Sequence, residues 1–173
     1  RLGFTSKKTM QIAQKLYEGV NIGSKRVGLI TYMRTDSVRI SDSALEDVRS
    51  WIGKNFPNDL PEKPVEYAVG KKAQDAHEAI RPTYTEYTPD YVKEFLSRDE
   101  LRLYQLIWEA FVSSQMKGAK CLTTSVDIKA DEALFRVSST KVTEKGFYNV
   151  VKLLSSKEEE KLLYFYYLLC LAC

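Results

Sequence analysis

The chain has 173 residues, 44% of them hydrophobic, and its 26 Lys and Arg against 23 Asp and Glu leave a formal net charge of only +3. That length and apolar content support one buried core, or one domain and part of another, and exclude an intrinsically disordered chain. So small a net charge does not mark a nucleic-acid binder, and evidence for one must come from where the cations are placed.

In chain order, Ser6 can cap a helix whose apolar residues Met10, Ala13, Leu16 and Tyr17 recur at helical spacing, with Gly19 just past its end. A loop containing Gly23 follows, and Val27 to Tyr32 reads as a short strand. Ser41 or Ser43 with Glu46 forms a capping pattern that opens a helix to about Asn55, with Ala44, Leu45, Val48, Trp51 and Ile52 on its buried face. Pro57, Pro61 and Pro64 make the next stretch a loop, because each fixes its own backbone and discourages helix before it.

Ser97 with Glu100 is a second capping box, opening a long amphipathic helix through Leu101, Tyr104, Ile107, Trp108, Phe111 and Val112 to about Met116, and Gly118 ends it. There the period becomes alternating. Leu122, Thr124, Val126 and Ile128 define one strand face, and Phe135 with Val137, then Phe147 to Leu154, predict further strands. The fold class is therefore α+β: a mainly helical domain over residues 1–118, a β segment over 119–155, and a charged linker with an apolar tail over 156–173.

The tail from Leu162 to Cys173 is 12 residues long. It is shorter than the roughly 20 that a membrane-spanning helix requires, so it reads as a buried or altered end and not as an anchor. Cysteines 121, 170 and 173 are too few for a disulfide framework, and with no leader-like opening they indicate a reducing cytoplasm. Cys170 and Cys173 have the spacing of half a zinc site, but only Cys121 and His77 remain to complete it, and no metal site is assigned there.

Two segments carry chemistry. In Gly28-Leu29-Ile30-Thr31-Tyr32-Met33-Arg34-Thr35-Asp36-Ser37, a phenol stands two residues from a guanidinium, within a stretch that also holds Lys7, Lys8, Lys15, Lys25, Arg26 and Arg39 nearby. A phenol can attack a phosphodiester when cations stabilise the charge that develops on phosphorus, and an arginine fork can hold two phosphate oxygens at once. From these residues alone Tyr32 reads as a packing residue at a strand end. The second segment is Gln74-Asp75-Ala76-His77-Glu78-Ala79-Ile80-Arg81-Pro82-Thr83.

The first segment resembles the active-site segment of type IA DNA topoisomerases, in the Tyr-Met-Arg-Thr-Asp-Ser form typical of bacterial topoisomerase I, and the second resembles the other signature of that family. Their order and separation also fit, and further similarity from Leu2 to Gly19 and from Leu103 to Trp108 extends it over roughly residues 1–161. Reverse gyrase and topoisomerase III are the neighbouring members of the family, and Met33 with the Ala76-to-Pro82 form favours topoisomerase I over them.

The resemblance implies that Tyr32 attacks single-stranded DNA and becomes joined to its 5′ phosphate, that Arg34 contacts the scissile phosphate, and that His77 lies beside the DNA. It gives Glu78 and Arg81 a site-shaping role, Thr35 and Asp36 the turn after the tyrosine, and Gln14 an approach to DNA from the preceding helix. It further implies relaxation without ATP, in keeping with a sequence that holds no Gly-x-x-x-x-Gly-Lys-Ser/Thr loop. Magnesium is expected in the complete enzyme, on ligands outside this chain; Asp75 and Glu78 are not taken as a metal pair. The expected partners are DNA, the remaining domains of the same enzyme and no membrane, in the nucleoid-bearing cytoplasm. The C-terminal strands would be a returning piece of the family's arch, and the chain alone is expected to cleave poorly or not at all. A noncatalytic DNA-binding module and a partner-binding fragment remain the alternatives.

Overall fold

A computed structural model describes residues 2–35, 37–67 and 77–151, and the chain divides into two compact units, Arg1–Met116 and Lys117–Cys173. The architecture is α+β, with helices and short antiparallel strands.

In the first unit, α1 spans Ser6–Glu18. Its cap is Thr5 and not Ser6: the Thr5 side chain accepts the Lys8 amide, and Gly19 closes the helix at φ 112°. The predicted loop at Gly23 is the turn of a small hairpin, β1 (Val20–Ile22) against β2 (Lys25–Val27), with Gly23 at φ 60°. The predicted strand from Val27 to Tyr32 is corrected. Regular pairing of the hairpin ends at Val27, and beyond it, among the described residues, Ile30 forms an isolated antiparallel bridge to Pro82.

Helix α2 spans Asp42–Asn55 and buries Ala44, Val48 and Ile52. Ser41 is its N-cap residue but makes no side-chain capping bond, so the expected capping box does not form; its hydroxyl serves Glu78 instead. A 3-10 turn at Pro57–Asp59 follows, and α3 is the short helix Pro89–Val92, capped by Thr88. Helix α4, Arg98–Ser114, has the reciprocal Ser97–Glu100 capping box that the sequence predicts.

The core draws on α1, α2, α3 and α4, from which Leu16, Val48, Ile52, Val92, Tyr104 and Val112 are fully buried. Two aromatic side chains at its edge make specific hydrogen bonds. The Trp108 indole donates to the Thr85 carbonyl at 3.0 Å, the Tyr104 hydroxyl donates to the Tyr87 carbonyl at 2.6 Å, and burial pushes the Tyr104 phenol far above the usual tyrosine range. Lys8–Asp99 and Lys15–Glu100 ion pairs tie α1 to the start of α4.

The second unit is a two-stranded antiparallel hairpin, β3 (Lys120–Ala130) and β4 (Ala133–Glu144), turning at Asp131, whose φ is 51°. Leu122, Thr124, Val126 and Ile128 share one face, as the alternation predicts, and the register sets Phe135 opposite Ile128 and Val137 opposite Val126. Leu122, Val126, Ile128 and Phe135 are nevertheless exposed. The strand predicted over 147–154 is corrected in its described part: Gly146–Asn149 is a 3-10 turn, with Gly146 at φ 50° and the Phe147 amide bonded to the Lys117 carbonyl at 3.0 Å. A Cβ on Gly146 would lie 2.5 Å from that carbonyl oxygen, so the turn accepts glycine alone. Residues 152–173, with the charged linker, the apolar tail, Cys170 and Cys173, lie outside the described residues.

Candidate active site

The two segments singled out in the sequence lie against each other. Running antiparallel, the Thr31 amide donates to the Arg81 carbonyl at 2.9 Å and the Thr83 amide donates to the Leu29 carbonyl at 3.0 Å. Side chains then bind the same strands a second time. The Thr31 hydroxyl donates to the Ala79 carbonyl at 2.7 Å and accepts the Arg81 amide at 3.0 Å, while the Thr83 hydroxyl donates to the Gly28 carbonyl at 2.7 Å. A third tie runs from the Ala79 amide to the Arg39 carbonyl at 2.8 Å.

The first segment is also fixed to α1. The Leu29 amide donates to the Leu16 carbonyl at 2.8 Å, and a Cβ built on Gly28 would come within 2.7 Å of the Tyr17 carbonyl oxygen. Glycine is therefore what allows this backbone to pass so close to the end of the helix.

Beyond this anchored stretch, Met33 is buried while Tyr32 and Arg34 on either side of it are exposed. One apolar side chain thus seats the loop and turns the phenol and the guanidinium outward. The Tyr32 ring is 37% exposed and stacks on His77, with centroids 5.6 Å apart and planes 29° apart. On its other contact, Tyr17 meets it edge to face at 5.4 Å and 68°. Thr35 accepts the Ser37 amide at 3.0 Å and Ser37 accepts the Arg39 amide at 3.2 Å, two successive hydroxyl turns that shape the loop after the tyrosine.

Glu78 and Arg81 form a pair in which Arg81 Nε and Nη2 both donate to Glu78 Oε2, at 3.0 and 2.7 Å. Burial pushes the Glu78 carboxyl up, but hydrogen bonds from Arg81 and Ser41 and the charges of Arg81 and Arg39 outweigh it and hold the group below the usual carboxylate range. Gln14, half-buried on α1, hydrogen-bonds Glu18 one turn along the same helix. Asp36, Gln74 and Asp75 lie outside the described residues.

Cations that neighbour Tyr32 in the sequence differ in their pairing. Lys8 and Lys15 are consumed by Asp99 and Glu100, whereas Lys25, Arg26, Arg34 and Arg39 are exposed and enter no ion pair with a described residue. Among the described residues no three His, Cys, Asp or Glu side chains converge, and Glu78 is committed to Arg81. Among the described residues, too, no helix is long and apolar enough to cross a membrane.

Comparison with known proteins gives this geometry its family. A family profile described as DNA topoisomerase matches residues 1–167. The chain belongs to the DNA topoisomerase family. DNA topoisomerase 1 of Treponema pallidum (strain Nichols) is 57% identical over 157 residues, which make up 91% of this chain and 22% of that protein. DNA topoisomerase 1 of Xylella fastidiosa (strain Temecula1) is 52% identical over 154 residues, 87% of this chain and 19% of that protein. Among solved structures, full-length topoisomerase I from Thermotoga maritima matches with a TM-score of 0.73 at 39% identity, covering 88% of this chain and 24% of that one. This topoisomerase chain therefore spans about a fifth of the length of the curated relatives it matches.

One neighbour of Tyr32 in this topoisomerase chain was not legible in the sequence. The helical period places Tyr17 on the buried face of α1, yet its ring is 41% exposed and rests against Tyr32. The available signal was its place one residue before the end of the helix, directly ahead of the loop that returns as the first signature.

Proposed function

We propose that this chain is the nucleophile-bearing part of a type IA DNA topoisomerase, of the bacterial topoisomerase I kind, acting on a single-stranded segment of DNA. The observation that supports this most directly is the antiparallel pairing of the two signatures, which sets the exposed Tyr32 ring against His77 at 5.6 Å. The Tyr32 phenol oxygen forms a bond to phosphorus and the bond from phosphorus to the 3′ oxygen breaks. The phenol gives up its proton and the departing 3′ oxygen gains one, leaving a 5′-phosphotyrosine and a free 3′ hydroxyl. One phosphoester replaces another of similar energy, so after strand passage the reverse step reseals the strand and relaxes supercoils without ATP.

Arg34, exposed beside the buried Met33, is suited to hold the scissile phosphate and to stabilise the charge developing on it. His77 is stacked on the Tyr32 ring, an orientation that suits it to presenting a ring N–H to the phosphate more than to taking the phenol proton. Arg81 and Glu78 hold the second signature in shape through their fork. Asp36 belongs to the same motif as Tyr32, and Gln14 is the α1 residue assigned to approach DNA from that helix. Magnesium, on ligands elsewhere in the longer protein, would supply further neutralisation of phosphate charge; this chain by itself is proposed to be inactive. The protein's working place is the nucleoid.

The test is covalent trapping. The longer protein carrying this chain is incubated with a single-stranded oligonucleotide labelled at its 3′ end, then denatured, so that a 5′-phosphotyrosine leaves label on the protein. Tyr32→Phe should abolish the adduct while DNA binding is retained. An adduct that persists in Tyr32→Phe overturns the assignment, and a parent protein that binds DNA without ever forming the adduct indicates the noncatalytic module instead.

A further inference from the structure

Tyr32 is exposed and lies on a segment without regular secondary structure, which on its own leaves a ring free to rotate about two side-chain bonds. A nucleophile reacts from a narrow range of positions, so something must hold the phenol oxygen in line with its target. The stacked His77 restrains one face of the ring. A single stacked neighbour still permits sliding within the plane of the stack.

The second restraint comes from α1. Tyr17 meets Tyr32 at 5.4 Å with the planes 68° apart, the edge-to-face arrangement in which the positive edge of one ring lies on the negative face of the other. Two neighbours, one stacked and one perpendicular, restrict the ring in two directions. Tyr17 is itself well fixed at the backbone: the Gly28 segment approaches its carbonyl so closely that only glycine fits there, and the adjacent Leu16 carbonyl accepts the Leu29 amide at 2.8 Å. The helix end, the tyrosine segment and the second signature are thus joined around one ring. Among the described residues the Tyr17 hydroxyl has no hydrogen-bond partner, so it is the ring that makes the contact.

We propose that Tyr17 is a positioning residue for Tyr32, holding the nucleophile's ring against His77 so that its oxygen is presented in line with the scissile phosphorus. This rests on the reading of Tyr32 as the nucleophile. Its effect is on the rate of cleavage once DNA is bound and not on the affinity for DNA.

The experiment is single-turnover adduct formation by the longer protein at saturating 3′-labelled single-stranded oligonucleotide, with the dissociation constant measured in parallel on the same oligonucleotide. Tyr17→Leu should slow adduct formation about 3- to 10-fold, the range expected from losing one edge-to-face aromatic pair, with the dissociation constant unchanged. Tyr17→Phe, which restores the ring without the hydroxyl, should recover most of that loss. Rates are normalised to the fraction of folded protein found by thermal melting, so a loss through misfolding is not counted. A parent-like rate in Tyr17→Leu overturns the proposal, as does a loss that appears only as weaker binding or one that Phe does not recover. Tyr32→Phe run alongside separates the two readings: if it still forms the adduct, the nucleophile assignment has failed, and if it does not while Tyr17→Leu is normal, only the positioning role has.

Discussion

The Thr31 hydroxyl donates to the Ala79 carbonyl at 2.7 Å and accepts the Arg81 amide at 3.0 Å, so one side chain joins two signatures whose bonded residues stand 48 and 50 positions apart. Thr31 is the residue immediately before Tyr32, and the bond therefore sets where the tyrosine leaves the paired stretch. The backbone bond between Thr31 and Arg81 would survive loss of this hydroxyl, but the Arg81 amide and Ala79 carbonyl would each lose a partner.

Replacing it with the isosteric valine, Thr31→Val, should cost about 1–3 kcal/mol, because part-buried polar groups are left unsatisfied while the packed volume is unchanged. The measurement is the urea midpoint of unfolding at constant slope. A change below about 0.5 kcal/mol would show that the backbone ladder alone couples the segments.

Gly28 provides a second, purely steric test. A Cβ there would lie 2.7 Å from the Tyr17 carbonyl oxygen, a backbone atom that cannot swing aside, whereas a Cβ on Gly118 would meet nothing within 4 Å. Gly28→Ala should therefore destabilise the chain by about 1–3 kcal/mol through overpacking, and in the longer protein it should also slow adduct formation by shifting Tyr32 away from Tyr17. Gly118→Ala is the control and should leave both the melting temperature and the rate near the parent values. Equal behaviour of the two variants would sink the close-approach argument.

What the sequence disclosed and what it hid follow from how local each signal is. The capping box of α4 was readable because Ser97 and Glu100 answer each other within one turn. At α2 the same pattern misled: Ser41 stands at the cap, but its hydroxyl is drawn to Glu78, a partner 37 positions away that no local rule can anticipate. The apolar run after Val27 reads as a strand, yet among the described residues it forms one isolated bridge, from Ile30 to Pro82, a partner 52 positions away. In β3 and β4 the alternation correctly gave the faces but not their burial, since period reports which side chains share a side and not whether anything covers them. For the candidate site, residue chemistry offered only a phenol near a guanidinium; the family resemblance singled out Tyr32 and His77, and the fold added the contact between those two rings and the contact of Tyr17 with Tyr32.

Glu100 gives the chain a predictable acid response. It is buried to 7% exposure, its Oε2 accepts the Ser97 amide at 2.9 Å, and its other oxygen pairs with Lys15 of α1. Burial pushes its carboxyl up, but the hydrogen bonds from Lys15 and Ser97 and the Lys15 charge prevail and hold it below the usual range. A carboxyl whose folded-state value is lowered is protonated first in the unfolded chain on acidification. Its stabilisation is therefore complete above the ordinary glutamate value of about 4.3 and is lost as the pH falls through the lower folded value. Glu100→Gln keeps the size of the side chain and can still accept the Ser97 amide, but it cannot carry the charge. It should lower stability by about 1 kcal/mol at neutral pH and flatten the fall in urea midpoint as the pH falls below about 4, so that parent and variant converge in acid. If the two pH curves run parallel instead, the ionised Glu100 is not what binds the start of α4 to α1.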